Sequence, residues 1–333
     1  MSRHQRSSSH GGETDENFNK IPRRAVSGVL LLDKHAGLSS NTAVGWSKRL
    51  FNAEKAGHTG TLDPFATGLL PICFGEAAKF ARFMLDAPKG YRATLKLGLK
   101  SSTGDTEGEI IQRREVNADI AAVTTVLASF LGEQTQIPPM HSALKRDGVP
   151  LYKLARQGLE IERQPRRVHV YRIEMVSLQA DELIIDTLVS KGTYIRVLAE
   201  DIGEALGCGA YLTALRRTIT GGFAVEQAVS LEMLDGMTLE QRDARLLPSD
   251  SLAMALPKLT LSGNAAKALQ NGQTPQVSNV LVDGIEYRIY EESGTFLGIA
   301  MASLSHAAGA TLTAVRLMAP EVSNAAGAPA QTH

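Results

Sequence analysis

The sequence predicts a mixed α+β fold with a small β-rich unit toward its C-terminal end, and three observations point there. Strand-like apolar runs and helical patterns interleave without a regular strand-helix repeat, which favours a mixed sheet over a doubly wound parallel one. From about Ser251 the pattern changes to one short helix and a series of closely spaced strand candidates. The length of 333 residues, with 43% hydrophobic and 21% charged residues, is that of a folded protein with room for two domains.

Taken in chain order, residues 1–27 read as a flexible tail, because the stretch from Met1 to Lys20 lacks the apolar core of a signal peptide. A larger domain follows over residues 28–250. Gly28 to Asp33 (GVLLLD) is a short apolar run ending in turn chemistry and predicts a buried strand. The next segment predicts a helix, capped by Ser40 or Asn41, with Val44, Trp46 and Leu50 on its apolar side. Gly57 to Pro71 (GHTGTLDPFATGLLP) carries too many glycines and prolines for a regular element and predicts a structured loop. Tyr91 to Leu99 alternates as a strand does, and Asp119 to Leu131 has a helical pattern ending before Gly132. Leu183 to Ser190 and Thr193 to Leu198 read as strands, and Glu200 to Leu206 as a short helix.

Charge is balanced overall, with 35 Lys plus Arg against 35 Asp plus Glu, so an acidic partner must be met by local distribution. Such a concentration exists at residues 138–172, where Lys145, Arg146, Lys153, Arg156, Arg163, Arg166, Arg167 and Arg172 outnumber Asp147, Glu160 and Glu162. It reads either as a phosphate-binding surface or as a solvated charged helix. Residues 251–318 form the β-rich unit: a helix from Asn264 to Leu269 ended by Asn271 and Gly272, then strands at Val280–Val282, Tyr287–Tyr290, Phe296–Met301 and Thr311–Leu317. Residues 319–333 read as a second tail. The uncharged stretch from Ser293 to Val315 holds too many polar residues and glycines for a spanning helix, so no membrane role is expected and a cytoplasmic location is. Two cysteines, Cys73 and Cys208, fit a reducing compartment.

Several chemistries lack their sequence signal. The eight histidines show no paired spacing and neither cysteine has a near partner, so no metal is expected. Neither GxxxxGK[ST] nor a helix-opening GxGxxG occurs, which leaves no nucleotide-cofactor signal, and no GxSxG suggests a hydrolase. The Gly57–Pro71 loop is the densest unusual segment. Asp63 precedes Pro64, which disfavours helical backbone and fixes an extended carboxylate on a loop. An ordinary turn aspartate bonded to its own backbone is the plainer alternative. The run from Thr59 to Leu62 has the look of a phosphoaspartyl loop, but the aspartate that would precede it is replaced by Gly57 and His58.

Five collinear segments, GVLLLDKHAGLSSN (28–41), GHTGTLDPFATGLLP (57–71), GYRATLKLG (90–98), GTYIRVLAEDIG (192–203) and ALRRTITGGF (214–223), resemble the signature blocks of the TruB family. The family comprises bacterial tRNA pseudouridine synthases acting on uridine 55 of the TΨC loop. The resemblance covers roughly residues 28 to 250. It implies a mainly antiparallel pseudouridine-synthase-type sheet with flanking helices, followed by a PUA-like RNA-binding domain, suggested by AAKALQNG (265–272). By the same resemblance Asp63 is the catalytic carboxylate, acting at C1′ or C6 or on a sugar proton, a choice left open. Arg196 is its positive partner, which would hold its orientation and favour its ionised form. Tyr91 stacks on the flipped base and is placed to take part in proton removal. Tyr194 and Leu215 line the base pocket, and His58 helps hold the flipped nucleotides.

The basic stretch resembles the thumb-like insertion that grips the tRNA stem-loop, with Lys145, Arg146, Arg166 and Arg167 on the RNA backbone. The implied enzyme uses no cofactor and no guide RNA and works as a monomer on the TΨC stem-loop, with an additional tRNA-folding chaperone role. Two other readings compete: an RNA chaperone for which catalysis is incidental, and a guide-RNA-dependent modifier inside a multi-protein particle. The long basic stretch argues against the last.

Overall fold

The computed structural model describes residues 22–319 apart from 143, 147, 156 and 306–308, with the side chains of 145, 146, 150, 152 and 305 also left out. The expected tails therefore lie outside the described residues, save for short lengths of each. The larger unit contains β1 (Gly28–Lys34), α1 (Ser40–Leu50), β2 (Ala56–His58), β3 (Thr67–Phe74), α2 (Ala81–Asp86), β4 (Lys89–Leu97), β5 (Leu99–Ser101), β6 (Ile110–Arg113) and α3 (Ile120–Ser129). It continues with β7 (Gly132–Gln136), β8 (Lys145–Arg146), β9 (Val149–Pro150), α4 (Leu151–Ala155), β10 (Arg166–Gln179), β11 (Glu182–Val189), α5 (Ile195–Ala205), β12 (Ala210–Thr220), β13 (Phe223–Ala224), α6 (Leu231–Asp235) and α7 (Leu239–Asp243).

Nine of these strands make one sheet in the order β1-β3-β12-β4-β11-β10-β7, with β2 on β3 and β13 on β12. Its pairings are antiparallel except β12 with β3, so the sheet is mixed and mainly antiparallel, as expected. The apolar run of β1 follows from its place: Leu30 and Leu32 enter the main core under α1 and α5, while Val29 and Leu31 enter a second core shared with the C-terminal unit. A strand covered on both faces has no reason to alternate. By contrast β4 alternates, burying Ala93, Leu95 and Leu97 and presenting Arg92 to solvent.

Three local readings are corrected. The cap of α1 is Ser39, whose Oγ accepts from Thr42 N at 3.1 Å, and Trp46 is exposed while Ala43 and Ser47 face inward. Small residues suit that face because the helix lies close against β2. Arg196 stands on a helix, not a strand: Ile195, Leu198, Ala199 and Ile202 recur with the helical period and are buried together in α5. Within Gly57–Pro71 only residues 59–66 are loop, flanked by β2 and β3. The basic stretch is likewise divided, since from Arg166 the chain belongs to β10 of the main sheet.

The smaller unit holds β14 (Lys258–Leu261), α8 (Gly263–Gln270), β15 (Gln276–Val277), β16 (Glu286–Glu291), β17 (Phe296–Ser305) and β18 (Gly309–Leu317). Its sheet runs β14-β16-β17-β18-β15 around its own core. Val280–Val282 is not a strand, because it finds no neighbouring ladder and Val280 projects fully into solvent. Phe80 and Phe296 meet across the two units at 5.3 Å, beside the Arg82–Glu286 ion pair at 2.6 Å. No helix among the described residues is long and apolar enough to cross a membrane.

Candidate active site

A cavity of about 460 Å³ opens where the 59–66 loop, the ends of β4 and β12, the start of α5 and the 142–144 segment meet. Asp63, Tyr91, Arg166, Tyr194, Arg196 and Leu215 all line it. Residues far apart in sequence thus converge on one cavity, while His58 lies outside its lining.

The loop carrying Asp63 is pinned on both sides. Ser40 Oγ donates to the Leu62 carbonyl at 2.9 Å and accepts from Leu62 N at 2.8 Å. Pro64 O receives Gly37 N at 2.9 Å and Lys34 Nζ at 3.3 Å. Lys34 Nζ also donates to His35 O at 3.0 Å and Leu38 O at 2.8 Å. Its burial without a direct carboxylate contact pulls its pKa down to about 8. On the far side, His58 Nδ1 accepts from Gly60 N at 3.2 Å, and burial lowers the pKa of its ring. A neutral imidazole is what that acceptor role requires. His58 therefore braces the loop from β2.

Arg217 supplies the floor. Its guanidinium, fully enclosed, donates to Leu69 O at 2.7 Å, Gly60 O at 3.1 Å and Thr61 O at 3.4 Å. Desolvation lowers its pKa, opposed by the neighbouring Tyr91 phenol. Gly68 makes this approach possible: at φ +100° it lies so close to β12 that an added Cβ would sit 2.3 Å from Arg217 O. Lys89 stiffens the neighbouring wall by donating to Met84 O, Leu85 O and Ala87 O at 3.0, 2.6 and 2.7 Å, which satisfies the carbonyl end of α2. Burial pulls its pKa down to about 8.

Asp63 and Arg196 meet at 3.1 Å, with side chains 38% and 6% exposed. The same guanidinium reaches Asp105 at 3.3 Å and donates to His141 O at 2.7 Å and Thr103 O at 3.3 Å. Asp105 is itself buried and accepts from Thr103 Oγ1 at 2.5 Å and Glu107 N at 3.0 Å. Asp63 opens a turn through its carbonyl, which accepts from Ala66 N at 3.1 Å, but its carboxylate partner is a cation from another element. Its pKa is raised: burial among the cavity walls is the larger influence, Arg196 and Lys34 oppose it, and Asp105 reinforces it. The arrangement offers a partly shielded carboxylate, oriented by a guanidinium, beside an aromatic face. Among the described residues no group of His, Cys, Asp and Glu converges as metal ligands do.

The basic residues divide. Arg166 stacks over Tyr194 with 4.6 Å to the ring centroid and donates to Gly192 O, so it belongs to the cavity rim. Arg167 points outward at 81% exposure, paired with Glu133 at 3.1 Å. Lys145 and Arg146 lie in the β8–β9 hairpin, their side chains outside what is described. Sequence reading missed Lys34, Ser40, Lys89, Asp105 and Arg217 as positioning groups.

A loop aspartate oriented by a buried arginine, in a cavity with Arg166 at its rim, is an arrangement suited to an enzyme that handles an anionic substrate. Three family models match in sequence: "TruB family pseudouridylate synthase (N terminal domain)" at residues 48–195, "tRNA pseudouridylate synthase B C-terminal domain" at 196–254 and "Pseudouridine synthase II TruB, C-terminal" at 257–305. The tRNA pseudouridine synthase B of Burkholderia mallei is 50% identical over 289 residues, 85% of this chain and 93% of that protein. The protein of the same name from Neisseria gonorrhoeae is 51% identical over 282 residues, 85% of this chain and 92% of that one. Among solved structures, a chain of a Cbf5-Nop10-Gar1 complex superposes with TM-score 0.67 at 27% identity, covering 87% of this chain and 84% of that one. The chain belongs to the TruB family of pseudouridylate synthases.

Proposed function

We propose that this chain isomerises uridine 55 in the TΨC loop of tRNA to pseudouridine, with Asp63 as the acting carboxylate. The observation carrying the reading is the Asp63–Arg196 contact of 3.1 Å in a cavity that also presents Tyr91, Tyr194 and Leu215. The reaction breaks C1′–N1, forms C1′–C5, releases the proton on C5 and protonates N1. Atoms and electrons balance within one nucleotide, so no oxidant, reductant or co-substrate is required. The target base must leave its stack, at a cost of a few kcal/mol, and an aromatic platform at Tyr91 offsets about 1–3 kcal/mol of it.

Asp63, kept ionised by Arg196, acts on the nucleotide while Tyr91 stacks on the base. In this reading the Tyr91 phenol, which lines the same cavity as Arg217, takes part in removing the C5 proton. Tyr194 and Leu215 line the base pocket and His58 steadies the flipped nucleotides. Residues 138–172, with Lys145, Arg146, Arg166 and Arg167, neutralise phosphates as a thumb, and residues 251–318 serve as a PUA-like RNA-binding unit. The protein works as a cytoplasmic monomer. The relatives named tRNA pseudouridine synthase B match at half identity over nearly their whole length, against about a quarter for the Cbf5 chain, which favours a tRNA substrate over a guided one.

Purified protein incubated with an unmodified TΨC stem-loop, without metal, nucleotide or guide, is expected to give pseudouridine at the single loop position. Absence of product, or product only when a guide is supplied, would overturn the reading. A tRNA-folding activity is the second expectation, and it should persist in Asp63→Asn if it is independent of catalysis.

A further inference from the structure

The cavity contains one buried hydroxyl that no protein group satisfies. Ser142 is 5% exposed and lines the cavity wall, yet its Oγ has no hydrogen-bond partner. A buried hydroxyl without a partner costs on the order of 1–3 kcal/mol, a cost that a bound ligand removes. Position identifies which part of the ligand does so. The carbonyl of the preceding residue, His141, accepts from Arg196 Nη2 at 2.7 Å, and that same nitrogen contacts Asp63 at 3.1 Å. Ser142 therefore stands on the Arg196 side of the reacting carboxylate. The base platform, Tyr91 and Leu215, is built by the paired strands β4 and β12. Arg166, also lining the cavity, leaves its buried Nε unpartnered and carries the cationic charge suited to a phosphate. With the base assigned to that platform and the phosphate to that cation, the part of the nucleotide left for a neutral hydroxyl such as Ser142 is the ribose.

The geometry points to Ser142 as the residue that recognises the 2′-hydroxyl of the target nucleotide and so favours RNA over DNA at that position. The 2′-hydroxyl both donates and accepts, as a serine hydroxyl does, and it is the group by which a protein distinguishes the two nucleic acids. This inference rests on the pseudouridine-forming reading of the same site.

The test measures binding of two labelled TΨC stem-loops, one with uridine and one with 2′-deoxyuridine at the target position. The full-length protein carries Asp63→Asn so that the bound RNA is not converted. Adding Ser142→Ala should weaken binding of the ribose loop by ~3- to 10-fold, the range of a neutral hydrogen bond, and leave the deoxyribose loop unchanged. Ser142→Thr, which keeps the hydroxyl, should restore the preference. Equal weakening on both loops would assign Ser142 to packing or to the base, and no weakening on either would leave it without a ligand; each overturns the inference. Turnover of the ribose loop by the unsubstituted protein is the control: its failure refutes the proposed reaction, whereas intact turnover with no 2′-dependence refutes only the role of Ser142.

Discussion

The two walls of the cavity are built on different principles. The wall bearing Asp63 is fixed from behind: Ser40, Gly37, Lys34, His58 and Arg217 all bond its backbone between Gly60 and Pro64. Among the described residues, fewer hydrogen bonds tie the facing wall, residues 137–165, to the rest of the molecule: Arg196 holds His141 O, while Arg163 to Pro138 O at 3.3 Å lies within the segment. A segment held by few buried contacts opens locally at lower cost than one tied into the core. The proposed reacting group thus sits on the firmly tied side, and the wall proposed to face RNA is where the molecule yields at lower cost. Catalysis by orientation needs the former; admitting a stem-loop needs the latter.

The comparison is broken most severely at Asp63. Asp63→Asn should lower single-turnover pseudouridine formation by on the order of 10³-fold or more, while circular-dichroism melting shows a midpoint unchanged or raised. The sign follows from its pKa, which is raised in the folded chain mainly by burial. Above the unfolded value the ionised side chain costs stability, and the amide removes that cost. A clear fall in melting temperature would assign Asp63 to structure instead. Arg196→Ala comes next. Turnover should fall about 10²- to 10³-fold, as for loss of one preorganised donor, with stem-loop affinity retained. Because Asp105 is left buried without its cation, stability should also fall by roughly 3–5 kcal/mol. Arg196→Lys separates the two effects, and near-normal turnover in either variant would remove the arginine from the mechanism.

Asp105→Asn sharpens the view of the fixed wall. Asp105 raises the pKa of Asp63 through its charge, so its neutralisation should shift the acid limb of the pH–rate profile to lower pH. Activity then survives further into acid even though its maximum is reduced by looser placement of Arg196. A limb that stays in place, or moves upward, contradicts the electrostatic coupling. Tyr91→Phe should keep stem-loop binding within about 3-fold, since the stacking face remains, and unchanged turnover would eliminate the phenol from the mechanism.

How much of this was legible in the sequence follows the same division. A proline after Asp63 and three glycines around it drew attention to its loop, but a plain turn aspartate fitted them as well, and its catalytic reading came from the motif blocks. Arg196, Tyr91, Tyr194 and Leu215 were found through the motif blocks, and they do line one cavity. The groups that hold them were not found. Asp105 lies in SSTGDTEGE, which reads as plain turn chemistry, and it acquires meaning only when α5 brings Arg196 beside it. Ser40 was read as a cap, whereas Ser39 caps α1 and Ser40 grips Leu62. Long-range hydrogen bonds of this sort leave no periodic trace. The register of Thr193–Leu198 was misread for a related reason: a short apolar run fits either period until its continuation through Ala199 and Ile202 is counted with it.

The smallest effect is expected on the yielding side, where the basic stretch was first read as one surface. Arg166 is bound into the cavity rim by Tyr194 and Gly192, while Arg167 projects into solvent from β10. If the stretch neutralises phosphates, Arg167→Gln should reduce the slope of log affinity against log salt by about one unit or less, weakening binding at low salt more than at high salt. Stability should change by no more than about 1 kcal/mol, because the exposed Glu133 pair is worth little. Arg166→Gln should weaken binding at every salt concentration, since it removes a stacked group as well as a charge. Matching behaviour of the two variants would mean that the rim and the outer face act as one surface, and an unaltered slope in both would remove β10 from the RNA contact.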